Sequence, residues 1–208
     1  MKKMFFFFLL GYASIGTINA QYTSSDSSKA IRKNELLIDA SSIIPNSSGG
    51  AGLLYRRNVK TISLRAQLFG GFNHNNASSN DSNNVQSTNT YFIMPAIGIQ
   101  KNVMLFKQFY WYGGADLSYR YSKSKNHNEY VTQGQESQTI SLQPLTGVRY
   151  NYKRLVLGIE CLGSLNYTIT HSTYSASYPY NYKNTYTNYK GWSFNAINST
   201  RFLVGINF

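Results

Sequence analysis

Apolar and polar residues alternate in eight segments between Glu35 and Phe208. A repeat of two residues excludes an amphipathic helix and predicts β-strands with one apolar and one polar face. The alternating segments cover residues 35–41, 50–56, 61–68, 91–100, 109–120, 140–149, 155–166 and 201–208. Pro95 and Pro144 interrupt two of them. Because proline cannot donate a backbone hydrogen bond, we expect a bulge at each.

The connectors between these segments alternate in length. Short connectors lie near Arg57-Asn58, from Asn102 to Phe106 and from Asn151 to Lys153, whereas long ones, rich in Asn, Ser and Tyr, run from Asn73 to Asn89, from Ser122 to Ser137 and from Ser172 to Trp192. One connector on the long side, Pro45–Gly49, is short. Short turns at one end and long loops at the other are typical of outer-membrane barrels. The sequence therefore predicts an all-β fold, an eight-stranded antiparallel up-and-down transmembrane β-barrel.

A soluble barrel has the same alternation with its apolar face turned inward, so the repeat alone does not select a membrane. Aromatic residues at the segment ends favour the membrane, because transmembrane barrels carry an aromatic girdle at each interface. The predicted rim at the short-connector end contains Tyr55, Phe109, Trp111, Tyr150 and Phe208, and the opposite rim contains Phe69, Tyr91, Tyr119, Tyr121 and Tyr167.

The first twenty residues, Met1–Ala20, predict a signal peptide. Lys2 and Lys3 precede an apolar stretch from Met4 to Ile15, and Ala20 supplies a small residue before the cut. The stretch is shorter than the roughly 20 residues of a membrane-spanning helix. We therefore expect residues 21–208 to form one exported barrel domain, with strands from about residue 35.

The chain carries a formal charge of +12, but charged residues are only 13% of it and it contains one cysteine. A basic balance can indicate nucleic-acid binding. Here lysines and arginines gather at segment ends, as at Arg56-Arg57 and Lys153-Arg154, which favours contact with anionic lipid headgroups. The predicted partners are thus outer-membrane lipids and lipopolysaccharide, and no nucleic acid.

From Glu35 to Phe208 the chain resembles the small eight-stranded outer-membrane barrels of the OmpA/OmpX-like class, and outer-membrane β-barrel domain proteins common in the Bacteroidetes. The last segment, from Arg201 to Phe208, ends on an aromatic residue, like the terminal strand that the barrel-assembly machinery recognises in that family. The resemblance implies a location in the outer membrane of a Gram-negative bacterium. Its members include structural proteins, adhesins, secretion accessories and a few lipid-modifying enzymes, so it does not assign a function.

Eight charged residues fall on the polar face of the segments. Buried charges are costly unless they are paired. We therefore predict a salt-bridge and hydrogen-bond network that plugs the lumen. Its members are Glu35, Asp39, Arg65, Asp116, Arg120, Arg149, Glu160 and Arg201.

Candidate catalytic groups are few. Paired carboxylates can act in acid–base catalysis, but here enough arginines accompany them to favour a structural role. His171 and Ser172 with Glu136 or Glu160 allow a Ser–His–acid arrangement, as in a hydrolase. Three dispersed histidines and the single Cys161 make no metal-binding spacing. We predict no enzyme activity, no cofactor and no metal.

The connector from Ser172 to Trp192 is rich in tyrosine, which offers rigid contact area with a polar tip. Its tyrosines are Tyr174, Tyr178, Tyr180, Tyr182, Tyr186 and Tyr189. They indicate either a recognition surface for a protein or glycan, or a hairpin that extends the strands above the membrane.

The predicted function is that of a monomeric, non-enzymatic outer-membrane barrel with a plugged lumen. It would serve envelope structure, or surface interaction and adhesion through its long extracellular loops. A small porin, a secretion-system accessory barrel and a lipid A-modifying enzyme are the alternatives.

Overall fold

Eight antiparallel strands close into a ring in the computed structural model, which describes residues 33–40, 50–78, 85–127, 131–176 and 185–208. The predicted signal peptide and the connector Pro45–Gly49 lie outside these residues. Each strand pairs with its neighbours in the sequence, and β1 also pairs with β8. The strands are β1 Asn34–Asp39, β2 Ala51–Val59, β3 Ile62–Ser78, β4 Val85–Phe106, β5 Phe109–His127, β6 Val131–Tyr152, β7 Leu155–Ala176 and β8 Thr185–Asn207. The predicted all-β, up-and-down arrangement of eight strands is confirmed.

The ring closes with a stagger between its first and last strands. Leu37 on β1 lies opposite Gly205 on β8. Following the paired residues the other way round, from β1 through to β8, ends instead at Ser193, twelve positions before Gly205. Such a stagger means that the strands tilt relative to the axis, as in closed barrels.

The strands extend well beyond the predicted segments. β6 begins at Val131 and β7 ends at Ala176, so most residues of the three connectors predicted to be long loops belong to paired strands. The prediction of long loops there is wrong. Polar residues on both faces of these extensions hide the repeat of two that marks a half-buried strand.

Two-residue turns join the strands at the opposite end. The turns are Lys60-Thr61, Lys107-Gln108 and Lys153-Arg154, and the first residue of each has a positive φ, of 57°, 32° and 52°. Tight turns of this kind connect antiparallel strands directly. The predicted short connectors lie within a few residues of these turns.

The two prolines do not mark bulges. Leu68 pairs with Pro95, and Ala115 pairs with Pro144, with no shift of register at either proline. The expectation of a bulge at each proline is wrong. The shifts lie elsewhere, between Met104 and Phe106 on β4 and around Gly163 on β7, whose Cβ position would approach Pro144 Cγ to 3.2 Å.

The ring is polar inside and apolar outside. Along β2 every second residue is buried, from Gly52 to Asn58, while the residues between them are exposed. The outward residues are large and apolar at positions such as Leu64, Ile97 and Leu117, which are 52%, 66% and 52% exposed. A soluble barrel would have the opposite arrangement. Small apolar clusters also fill the interior, formed by Leu37, Leu54, Val156 and Leu203 and by Tyr112, Leu145 and Leu162.

Candidate functional site

Four carboxylates and four arginines lie buried inside the ring, each no more than 8% exposed. The alternation of the strands turns them inward, since successive side chains point to opposite faces. We call this set the charged layer. Its members are Glu35, Asp39, Arg56, Arg65, Asp116, Arg149, Glu160 and Arg201. The opposite charges are equal in number, as burial of ions requires.

Glu160 on β7 lies at the centre of the charged layer. Arg65 on β3 donates two hydrogen bonds to it, Nη1 to Oε2 at 2.7 Å and Nη2 to Oε1 at 3.0 Å. Arg56 Nη2 lies 3.4 Å from Oε2, and the Tyr112 hydroxyl donates to the same oxygen at 3.2 Å. A two-pronged contact between a guanidinium and a carboxylate is the strongest form of this ion pair.

Glu35 on β1 accepts a second group of donors. Arg149 Nη1 lies 2.7 Å from Oε1 and 2.9 Å from Oε2, and Asn58 Nδ2 donates to Oε1 at 2.8 Å. Arg56 Nη1 lies 3.5 Å from Oε2, so this arginine bridges Glu35 and Glu160. The charged layer therefore ties β1 to β7 across the interior as well as through the sheet.

A chain of neutral side chains completes a circuit between these two carboxylates. Asn58 accepts a hydrogen bond from the Ser63 hydroxyl, which itself accepts from Asn102 at 2.7 Å. Gln100 Nε2 donates to Asn102 at 2.6 Å and Gln100 Oε1 accepts from Arg65 at 2.7 Å. The circuit is closed through Arg65, Glu160, Arg56 and Glu35, which couples the orientation of each member to its neighbours.

Two glycines make room for contacts that cross a strand. Gly98 on β4 separates Arg65 from Asp116, and Arg65 Nε lies 3.0 Å from Asp116 Oδ1 above it. A Cβ at Gly98 would lie 2.0 Å from that oxygen. Gly147 separates Tyr112 from Glu160 in the same way, and a Cβ there would lie 2.6 Å from the tyrosine ring. The glycines thus allow side chains on alternate strands to meet.

The structure brings together seven of the eight residues predicted for the network, and Arg120 is the exception. Its guanidinium lies 4.5 Å from the centre of the Phe92 ring, and among the described residues it makes no ion pair. Asp116, four residues earlier on β5, is already held by Arg65. Arg56, which was not predicted for the network, is the fourth arginine of the charged layer. The sequence analysis assigned Arg56 to lipid headgroups. Its place on β2, on the face opposite to the exposed apolar residues, was the signal that it points inward.

Arg201 and Asp39 form the edge of the charged layer farthest from the two-residue turns, with Nε and Oδ2 3.5 Å apart. We call that end of the ring, where β3 to β8 extend beyond the predicted segments, the hairpin end. Arg201 Nη1 also donates to Gln67 Oε1 at 2.8 Å. Beyond them lies a cavity of about 680 Å³ inside the ring. We call it the vestibule, and its wall includes Phe69, Phe92, Arg120 and Gln143.

The prediction that Phe69 belongs to an aromatic rim is wrong. It points inward, packs against Phe92 with ring centres 5.5 Å apart, and occupies the space left by Gly52. The other rim residues lie at the two ends of the outer face. At the turn end Phe109 contacts Phe106 and Tyr150, and at the hairpin end Tyr167 contacts Trp192, with ring centres 4.7 to 4.9 Å apart.

A charged pair, Lys123 and Glu136, lies beyond the hairpin-end aromatics on the outer face. Lys123 Nζ and Glu136 Oε1 are 2.5 Å apart, and both side chains are 44% exposed. The hydrogen bond that Lys123 donates to the Glu136 carboxylate raises the pKa of Lys123. On the same face, the outward residues along β7 change in character from the apolar Leu165 through the aromatic Tyr167 to the polar His171.

The three histidines belong to separate hairpins. Each pairs with the residue opposite it: His74 with Asn89 at 2.5 Å, His127 with Thr132 at 2.8 Å and His171 with Asn188 at 2.6 Å. His171 and Ser172 are neighbours on one strand, so their side chains point to opposite faces. The structure therefore does not assemble the Ser–His–acid arrangement considered from the sequence.

Three of the six tyrosines considered for recognition lie on the described parts of β7 and β8. Tyr174 lies two residues before the end of β7, and Tyr186 and Tyr189 on β8 are 73% and 65% exposed. Tyr178, Tyr180 and Tyr182 lie outside the described residues. Tyr174 pairs with Thr185 and Tyr186 with Thr173, so these tyrosines extend the sheet.

Within the described residues, no helix is long and apolar enough to cross a membrane, and no three His, Cys, Asp or Glu side chains are grouped to hold a metal ion. The first finding does not concern spanning by strands. Cys161 is a free thiol, 3.8 Å from Thr200 Oγ1. Comparison with family models, curated proteins and solved structures finds no match to this chain.

Proposed function

We propose that the protein is a transmembrane β-barrel of the bacterial outer membrane whose lumen is closed by the charged layer. The observation that carries this proposal is the inverted distribution of side chains. Glu35, Arg56 and Glu160 are fully buried in the ring, while Ile97 and Leu64 on its outer face are more than half exposed. Lipid is the solvent that stabilises such an outer face.

The height of the apolar outer face supports the same conclusion. From Leu155 to Leu165, β7 presents apolar outward residues over about 11 positions. At ~3.3 Å per residue and a tilt of ~45°, this stretch rises roughly 25 Å, the height of the lipid-facing band in transmembrane barrels. Aromatic residues flank it at both ends, as membrane interfaces favour.

The charged layer favours a structural role for a barrel with a filled lumen over a role in transport. A conducting pore needs a continuous water path, whereas here Arg65, Glu160 and Arg56 interlock across the interior. The hairpins beyond the aromatic rim are then the parts available for interaction at the cell surface. In this proposal the barrel is a non-enzymatic envelope protein that presents the hairpin of β7 and β8, with its exposed Tyr186 and Tyr189, to a protein or glycan.

Conductance in planar lipid bilayers tests the closed lumen. The purified protein is folded from urea into detergent micelles, inserted into bilayers, and recorded at both polarities. We expect no steady channel current from the unaltered protein. A reproducible open-channel conductance would overturn the plugged-barrel proposal and favour the porin alternative.

The double variant Arg65→Ala, Glu160→Ala is recorded beside the unaltered protein. It removes the central ion pair of the charged layer, one charge of each sign, so the layer stays neutral overall while Asp116 loses its contact with Arg65. We expect it to give a measurable leak, because small apolar side chains then replace the cross-lumen contacts. Far-ultraviolet circular dichroism verifies that the variant keeps its strands.

A further inference from the structure

The vestibule has the size and position of a ligand site. Its volume of about 680 Å³ lies within the range of small-molecule pockets, roughly 300 to 1,000 Å³. Arg201 and Asp39 of the charged layer contribute to its wall on one side. From there it extends along the inner face towards the hairpins, to Asn73 on β3 and Thr168 on β7.

The vestibule carries an excess of positive charge. Of its charged wall residues, Arg201 is paired with Asp39, whereas Arg120 has no carboxylate partner among the described residues. Arg120 is instead held over the face of Phe92, at 4.5 Å from the ring centre. An arginine stacked in this way keeps its planar donors free for a carboxylate or phosphate.

One buried polar atom in the wall lacks a protein partner. Gln143 is only 5% exposed, lines the vestibule, and its Oε1 accepts no hydrogen bond within the described structure. A buried acceptor without a donor is costly. This atom has almost no accessible surface, so a ligand hydroxyl or amide satisfies it once the side-chain amide of Gln143 turns towards the vestibule. The rest of the wall is dominated by short hydroxyl and amide side chains: Asn73, Thr90, Thr139, Ser141, Asn166, Thr168, Asn198 and Ser199.

We propose that the vestibule binds an acidic sugar, of the uronic acid class. Three features of such a ligand match the wall: its carboxylate suits Arg120, its hydroxyls suit Gln143 and the surrounding amides and hydroxyls, and its apolar C–H face suits the rings of Phe69 and Phe92. A simple phosphate would use the arginine alone. The wall of the site does not include Tyr174, Tyr186 or Tyr189, so it adds a binding activity to the structural role proposed above.

Isothermal titration calorimetry on the folded protein in detergent micelles tests this site. The probes are glucuronate, glucose and inorganic phosphate, used at the same ionic strength. We expect saturable binding of glucuronate, at least tenfold tighter than that of glucose or phosphate. Equal binding of phosphate and glucuronate, or no binding of glucuronate at millimolar concentration, would overturn the proposal.

Two variants and one control assign the binding to the vestibule. Arg120→Gln is expected to weaken glucuronate binding at least tenfold, and Gln143→Leu is expected to weaken it about fivefold. Gln143→Leu should leave the fold intact, because it removes a buried group that has no hydrogen-bond partner. Lys125→Gln changes an exposed cation of the same strand on the outer face, and we expect unchanged binding. Loss of binding in Lys125→Gln equal to that in Arg120→Gln would contradict the site. Conductance and folding into lipid are measured separately, so failure of this proposal leaves the plugged barrel standing.

Discussion

The charged layer and the vestibule occupy one interior, are built on the same strands, and yet are filled in different ways. In the charged layer, Arg65 and Glu160 are 3% and 0% exposed and meet across the ring. In the vestibule, the hydroxyls of Thr139 and Thr168 bond to each other across neighbouring strands, with their oxygens 3.0 Å apart.

Side-chain length explains this difference. Arginine, glutamate and tyrosine are long enough to cross the lumen, and glycines at Gly98 and Gly147 give them room. Threonine, serine and asparagine reach only the adjacent strand. An eight-stranded barrel has an interior just wide enough for side chains to fill. The choice of long or short residues therefore decides whether a layer is closed or hollow.

Removing the central carboxylate is expected to break the charged layer with the largest effect. Glu160→Ala leaves Arg56 and Arg65 buried without their shared partner, which should lower the free energy of unfolding by ~3–5 kcal/mol. Urea titration of the protein folded in lipid vesicles measures the change. Glu136→Ala removes an exposed carboxylate from the Lys123 pair and serves as the control, with no measurable change expected. Equal stability of the two variants would show that the buried network is dispensable.

A methyl group at Gly98 is expected to have the next largest effect. In Gly98→Ala the added Cβ would lie 2.0 Å from Asp116 Oδ1 and 2.5 Å from the Ala115 carbonyl oxygen. Since backbone cannot move aside easily, overpacking should cost ~1–3 kcal/mol. Gly158→Ala is the matched control, because its nearest atom would be at 3.5 Å, an ordinary contact. The same urea titration compares them, and a Gly158→Ala loss as large as that of Gly98→Ala would refute the steric explanation.

Removing the vestibule arginine is expected to have the smallest effect on stability. Arg120→Met loses the contact with Phe92 but leaves no buried charge unpaired, so the change should be at most ~1 kcal/mol. A loss as large as that of Glu160→Ala would mean that Arg120 belongs to the charged layer after all, as the sequence predicted. The same urea titration in lipid vesicles separates these outcomes.

The sequence was most informative where one face of a strand is apolar. Alternation located all eight strands and the inward direction of Glu35, Arg65 and Glu160, but it ended where β6 and β7 become polar on both faces, so the hairpins were read as loops. Arg56 was missed because its charge was weighed more than its position on β2. The vestibule depends on side-chain sizes on several strands at once, which a linear pattern does not contain.

Arginine substitution at Ile97 tests most directly whether the apolar outer face meets lipid. Ile97 is 66% exposed and lies near the middle of the outward residues of β4, between Tyr91 and Val103. In lipid vesicles Ile97→Arg should reduce the free energy of unfolding by ~2–4 kcal/mol, as expected for arginine at the bilayer centre. Tyr186→Arg, at a position 73% exposed beyond the aromatic rim, should change it by no more than ~1 kcal/mol. A change at Ile97 within about 0.5 kcal/mol of zero, typical of a surface in water, would contradict the membrane-spanning barrel.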